Sequence, residues 1–146
     1  MNGTPAKVVT GAYPLTGDFL AGRLRQNLST DDLKYIEGLI ESVEEHDDGS
    51  CLLGRGVKTD RSMILVEGYI FRTIETANKR FITGINLPGD FVDLHGFALK
   101  RLDHNIEAAG RVRVGCVSHE TLRDVMRERP GVARAMWFAT LLDAAI

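Results

Sequence analysis

The chain has 146 residues, 44% of them apolar and 26% charged, with a formal net charge of −2. This is the size and composition of one globular domain able to bury a substantial core. It carries no global basic excess for nucleic acid, no apolar run long enough to cross a bilayer, and only two cysteines, Cys51 and Cys116, too few for a disulfide framework.

Residues 1–28 hold Pro5, Pro14 and four glycines and read as a partly ordered arm with a short helix around Asp18 to Leu28. A firm helix is predicted from Ser29. Ser29 or Thr30 can cap it, and Asp31 and Asp32 suit its positive end. Leu33, Ile36, Ile40 and Val43 recur at helical spacing and form one apolar stripe. His46-Asp47-Asp48-Gly49 is a turn signal. Cys51 to Leu53 is a short strand closed by Gly54-Arg55-Gly56. Ser62 to Thr73 is rich in β-formers, with Gly68 marking a bend or bulge. Glu75 to Asn78 turns the chain into a second strand, Arg80 to Leu87, which pairs back on the first and ends at Pro88-Gly89.

From Phe91 to Ile106 the periodicity weakens, and a short helix near Phe97 to Arg101 is predicted. Arg111 to Val117 alternates cleanly: Val112, Val114 and Cys116 on one face, Arg111 and Arg113 on the other. Ser118 caps a helix with Leu122, Val125 and Met126 as its stripe. Pro130 opens the next one. Val132 to Ile146 leaves almost no polar face, which predicts burial on all sides, in part against a second copy. Met136, Trp137 and Leu141 are the expected contact residues. No Gly, Asn or basic residue closes that helix, so the chain is expected to stop inside a longer one. The expected organisation is an arm (1–28), a sensor unit (29–131) and the start of a linker helix (132–146).

The order of these elements, with Val66-Glu67-Gly68, Leu87-Pro88-Gly89-Asp90-Phe91 and the strand Arg111 to Val117, resembles the N-terminal sensor domain of Crp/Fnr-family transcription regulators. The resemblance covers about Thr30 to Ile146. It implies a mainly β fold with flanking helices, a jelly roll of the cyclic-nucleotide-binding type, leading into a dimerisation helix. The family's helix-turn-helix, and with it specific DNA binding, would lie outside this chain. The resemblance also implies a cytoplasmic homodimer that is not an enzyme, contacts no membrane and responds to a small effector.

In nucleotide-binding members a Gly-Glu-Leu element and an Arg-Ser or Arg-Thr pair follow the Gly-Asp-Phe turn. The Glu takes the ribose hydroxyl and the Arg the phosphate. Here the first falls on Asp93-Leu94-His95, and Leu94 offers no acceptor. The second falls on His104-Asn105 or Leu102-Asp103, with Arg101 near but off register. Asp90, Asp93 and Asp103 add negative charge where a phosphate would sit. The candidate effector loop is therefore Gly89, Asp90, Phe91, Asp93, Leu94, His95, Arg101, His104 and Asn105, with a cyclic nucleotide as the ligand the resemblance implies and the residue mismatches arguing against cyclic AMP. No iron–sulfur cluster is expected, since the first 50 residues hold no Cys. His95 and His104 are candidate haem ligands by location only.

Plainer readings stand beside these. Gly89-Asp90 is either a tight turn or the start of an anion cradle. His46, His95, His104 and His119 lack metal-ligand spacing and read as solvated or hydrogen-bonded loop residues. Arg123, Arg127, Arg129 and Arg134 alternate with acids as a solvated face. The two cysteines read as free buried thiols. The alternative function is a module that has lost ligand binding and serves dimerisation alone.

Overall fold

The structure, a computed structural model, describes residues 11–145. After the arm comes helix α1 (Thr30–Gly38), then strands β1 (Ser42–His46), β2 (Cys51–Leu53), β3 (Arg61–Glu75) and β4 (Arg80–Asn86). Helix α2 (His95–Leu99), strand β5 (Asn105–Ser118) and helices α3 (His119–Glu128) and α4 (Pro130–Ala145) complete the chain. The strands make one antiparallel sheet in the order β1-β5-β3-β4, with β2 paired to β5.

Strands β3 and β5 are the spine, pairing from Arg61↔Ser118 to Thr73↔Asn105. Their register slips between Leu65 and Glu67 and again before Tyr69. Gly68 sits in this break at φ +93, where a Cβ would lie 2.6 Å from the Arg111 carbonyl oxygen. No other residue tolerates both demands, so the predicted bend is real and lets two long strands coil.

Residues 62–65 of β3 are buried on both faces, as in a strand covered on each side. Ile64 joins an outer core with Phe19, Ile36, Phe91, Val117, Leu122, Val125, Val132 and Met136. Met63 and Leu65 join an inner one with Ile70, Val92, Leu102, Ile106, Val112, Val114 and Cys116. Each such side chain contributes roughly 1.5–3 kcal/mol on burial.

Several local expectations need correction. The stripe ending at Val43 is not one helix: α1 stops at Gly38, and Val43 lies in β1 opposite Gly115. Pairing with β5 and the fork of Arg61 on Glu44 at 2.6 and 3.0 Å outweigh the helical spacing. The arm carries its short helix as a 3-10 turn rather than over all of 18–28. It advances by successive i→i−3 bonds (Phe19 N–H to Thr16, Ala21 to Asp18, Arg23 to Leu20) into a 3-10 turn at Arg25–Asn27. It is also tied into the core, since Phe19 is buried. Met126 leaves its predicted stripe and is exposed, as is Cys51, while Cys116 is buried; both thiols are free. Of the three contact residues expected on helix α4, Met136 faces the core beside Val132 instead, whereas Trp137 is 65% and Leu141 50% exposed.

Other predictions match. Ser29 caps α1 by accepting from the Asp32 N–H, and Ser118 caps α3 by accepting from Thr121. Pro130 opens α4. No helix among the described residues is long and apolar enough to cross a membrane.

Candidate functional site

The turn after β4 is built by the Asp90 side chain and by backbone bonds to β3. The Asp90 carboxylate accepts from the Leu87 N–H at 2.9 Å and Asn86 Nδ2 at 3.3 Å. The Gly89 N–H donates to Leu65, and Leu65 donates back to Asp90. Gly89 has φ +97, and a Cβ there would lie 2.2 Å from the Asp18 carbonyl oxygen. The Gly89 amide is thus spent on β3, which is the geometry of a tight turn.

This turn forms one wall of a cleft of about 580 Å³. The arm supplies Asp18, Phe19, Leu20 and Arg23. The β3–β4 hairpin supplies Tyr69, Arg72, Thr83, Gly84, Ile85 and Leu87. Leu94 and His95 come from the start of α2, and Ala139, Thr140 and Leu142 from α4. Phe19 meets Phe91 edge-on, centroids 5.6 Å apart, which ties the arm to the turn. A Cβ at Gly84 would come within 2.5 Å of Arg72 Nη2, so Gly84 leaves room for that guanidinium to lie across the strand. The volume and mixed lining suit a small ligand.

Of the residues predicted from sequence, the cleft collects Gly89, Asp90, Phe91, Leu94 and His95. Asp93, Arg101, His104 and Asn105 lie elsewhere. Asp93 is turned into the protein, only 1% exposed, and its Oδ1 accepts the Met63 N–H at 2.7 Å. Its Oδ2 is buried without a partner, and burial lifts its pKa to about 7. Arg101 donates to the Gly56 carbonyl at 2.6 Å. His104 pairs with Asp103 at 2.8 Å, and Asn105 Oδ1 accepts the Arg55 N–H at 2.7 Å. The arm, hairpin and helix residues of the cleft form no motif in the sequence.

The histidines are not mainly loop residues: His46 is in β1, His95 opens α2, and His119 opens α3 and is buried. Among the described residues no group of three or more His, Cys, Asp or Glu could hold a metal. In the basic stretch, Arg127 pairs with Asp124, while Arg129 reaches Asp31 at 3.0 Å and stacks 4.4 Å over Tyr35. Arg61 and the hydrogen bond it makes hold Glu44 down at about 2.

A cyclic nucleotide does not fit the residues at the positions that the resemblance assigns. Leu94 carries no hydroxyl acceptor. Asp93 brings a carboxyl rather than a small residue, and it is spent on Met63. Arg101 is held on Gly56. The inner faces of β3 and β5 are occupied by packed side chains, among them Met63, Val92, Leu102 and Ile106.

No protein-family model matches the chain, and no curated protein matches it. Solved structures do. A cyclic-nucleotide-binding domain from Methylobacillus flagellatus KT superposes with TM-score 0.72 at 12% identity, over 96% of this chain and 78% of that one. The N-terminal domain of a transcriptional regulator from Streptomyces coelicolor A3(2) gives 0.66 at 18% identity, over 81% and 83%. The c-di-GMP-responsive global regulator CLP of Xanthomonas campestris gives 0.67 at 12% identity, over 80% and 61%. At such identities the likeness is one of fold. The chain has the jelly-roll-type fold of cyclic-nucleotide-binding domains, mainly antiparallel β with flanking helices and a C-terminal helix.

Proposed function

We propose that the chain is the ligand-sensing regulatory domain of a Crp/Fnr-like, DNA-binding transcription regulator, and that its effector is a small molecule other than a cyclic nucleotide held in the usual way. The observation that carries this reading is the composition of the cleft wall. One space is shared by the arm, the β3–β4 hairpin, the turn at Gly89 and helix α4. An occupant would touch the roll and the C-terminal helix together and so favour one arrangement of that helix over another. Trp137 and Leu141, exposed on α4, are the surface we assign to a second copy. DNA contact belongs to a domain outside these residues.

The second reading is a dimerisation module without an effector. Leu94 at the acceptor position and Arg101 held on Gly56 favour it. Thermal unfolding separates the two. A ligand at about 100 times its dissociation constant adds ~2.7 kcal/mol, a rise of about 5–11 °C for a chain of this size. A small-molecule library that raises the midpoint, with loss of the effect in Thr140→Trp, supports the sensor. A library without any stabilising compound supports the module.

A further inference from the structure

His119 is the first residue of α3, is 2% exposed, and touches three other elements. Its Nδ1 lies 3.1 Å from Lys100 Nζ and its Nε2 3.2 Å from Ser62 Oγ. The Phe97 ring packs edge-on to it at 5.4 Å, and Lys100 Nζ lies over the same ring at 5.4 Å. The tautomer follows from the chemistry. A lysine ammonium only donates, so Nδ1 must accept, and Nε2 carries the proton and donates to Ser62. A second ring proton would remove that acceptor and set two cations 3.1 Å apart.

Lys100 is placed for this contact by an unusual backbone. It closes α2 at φ +65, with its N–H on Gly96 and its carbonyl taking the Thr59 N–H. A non-glycine residue adopts that conformation only when its surroundings hold it there. Helix α2 is also the element whose first residues, Leu94 and His95, line or border the cleft.

We propose that the Ser62–His119–Lys100 chain is a proton-sensitive latch joining α2, beside the cleft, to α3: closed while the imidazole is neutral, opened when it gains a proton. The latch rests on these contacts and needs no occupant in the cleft, so it can fail or hold independently of the effector reading. The charged groups that face His119 are Lys100 from α2, Asp60 from just before β3 and Arg123 from α3 itself, and the Arg61 backbone hydrogen-bonds to the ring. Burial, with Lys100 next, holds the imidazole below its ordinary range, and Asp60 opposes them. Opening therefore needs more acid than charges a free imidazole.

The test is residue-specific NMR of the full chain between pH 4 and 8, following the His119 ring and the backbone amides of 95–100. The titration is repeated in Asp93→Asn, because the Asp93 carbonyl accepts the Gly96 N–H and its carboxyl titrates in the same range. At neutral pH His119 is expected as the Nε2-protonated tautomer. On acidification the amides of 95–100 should move with the same midpoint as the ring. Lys100→Met should raise that midpoint, and Lys100→Arg should restore it towards the original. Should Lys100→Met fail to fold, Lys100→Gln removes the same charge and should raise the midpoint likewise. A midpoint unchanged by loss of the cation, or α2 amides that ignore the ring, would overturn the latch.

Discussion

Gly89 lies against the backbone of Asp18 so closely that a Cβ on it would stand 2.2 Å from the Asp18 carbonyl oxygen. The contact seats the N-terminal arm on the turn that follows β4, and so joins two walls of the cleft. Gly89→Ala must strain a φ of +97 and displace that carbonyl. A loss of about 3 kcal/mol or more is expected in urea unfolding, and a loss under 1 kcal/mol would show the seat to be soft.

Glu37 fastens the same arm from the other side. Its carboxylate accepts the Leu15 N–H at 3.1 Å, the Thr16 N–H at 2.9 Å and the Thr16 hydroxyl at 2.7 Å. Glu37→Ala should cost ~2 kcal/mol and expose residues 13–28 to limited proteolysis ahead of the rest of the chain. Equal protection in variant and wild type would show that Phe19 and the Asp18–Gly89 contact hold the arm without Glu37.

Asp93 makes stability fall as pH rises. Its folded pKa of about 7 stands above the ordinary 3.8, so its favourable contribution is complete below about 3.8 and is lost as pH rises through about 7. The gap corresponds to roughly 4 kcal/mol. In Asp93→Asn, Oδ1 still accepts the Met63 N–H while nothing ionises. Denaturation midpoints should decline in the wild type between about pH 4 and 7 and level off above, and that decline should be much reduced in the variant. Parallel profiles would assign the decline to another group.

Met136 and Trp137 are neighbours in sequence with opposite roles. Met136→Ala removes a core side chain that is 1% exposed and should cost about 2–5 kcal/mol. Trp137→Ala removes one that is 65% exposed and should change unfolding by less than about 0.5 kcal/mol. Under the proposed dimer it should weaken self-association roughly tenfold or more, read by sedimentation at several concentrations.

The fold was legible where local chemistry and long-range packing agree. Gly68, the Ser118 cap and the alternation from Arg111 to Val117 each have one physical explanation, and the structure uses it; of the two readings of Gly89 it uses the tight turn, and of the two caps Ser29. Val43 was misread because its spacing suits a helix while its partners, on β5, are far away in sequence. Phe19 was missed for a related reason: an apolar residue among glycines and prolines shows no period, yet its place opposite Phe91 makes it core. The candidate site was legible only as a segment. Gly89 to His95 does border the cleft, but the other walls come from the arm, the hairpin and α4, which nothing in their local pattern joins. Asp93 looked like loop charge and is a buried group bonded to β3.

The most direct test of the account is backbone amide NMR of the chain titrated with cyclic AMP, cyclic GMP, cyclic di-GMP and a small-molecule library. The account predicts that saturable shifts from a library compound cluster at Ala21, Gly84, Leu94 and Thr140, around the cleft, and that the cyclic nucleotides leave residues 101–106 unmoved. Saturable shifts from a cyclic nucleotide centred on Asp93, Arg101 and Asn105 would contradict it.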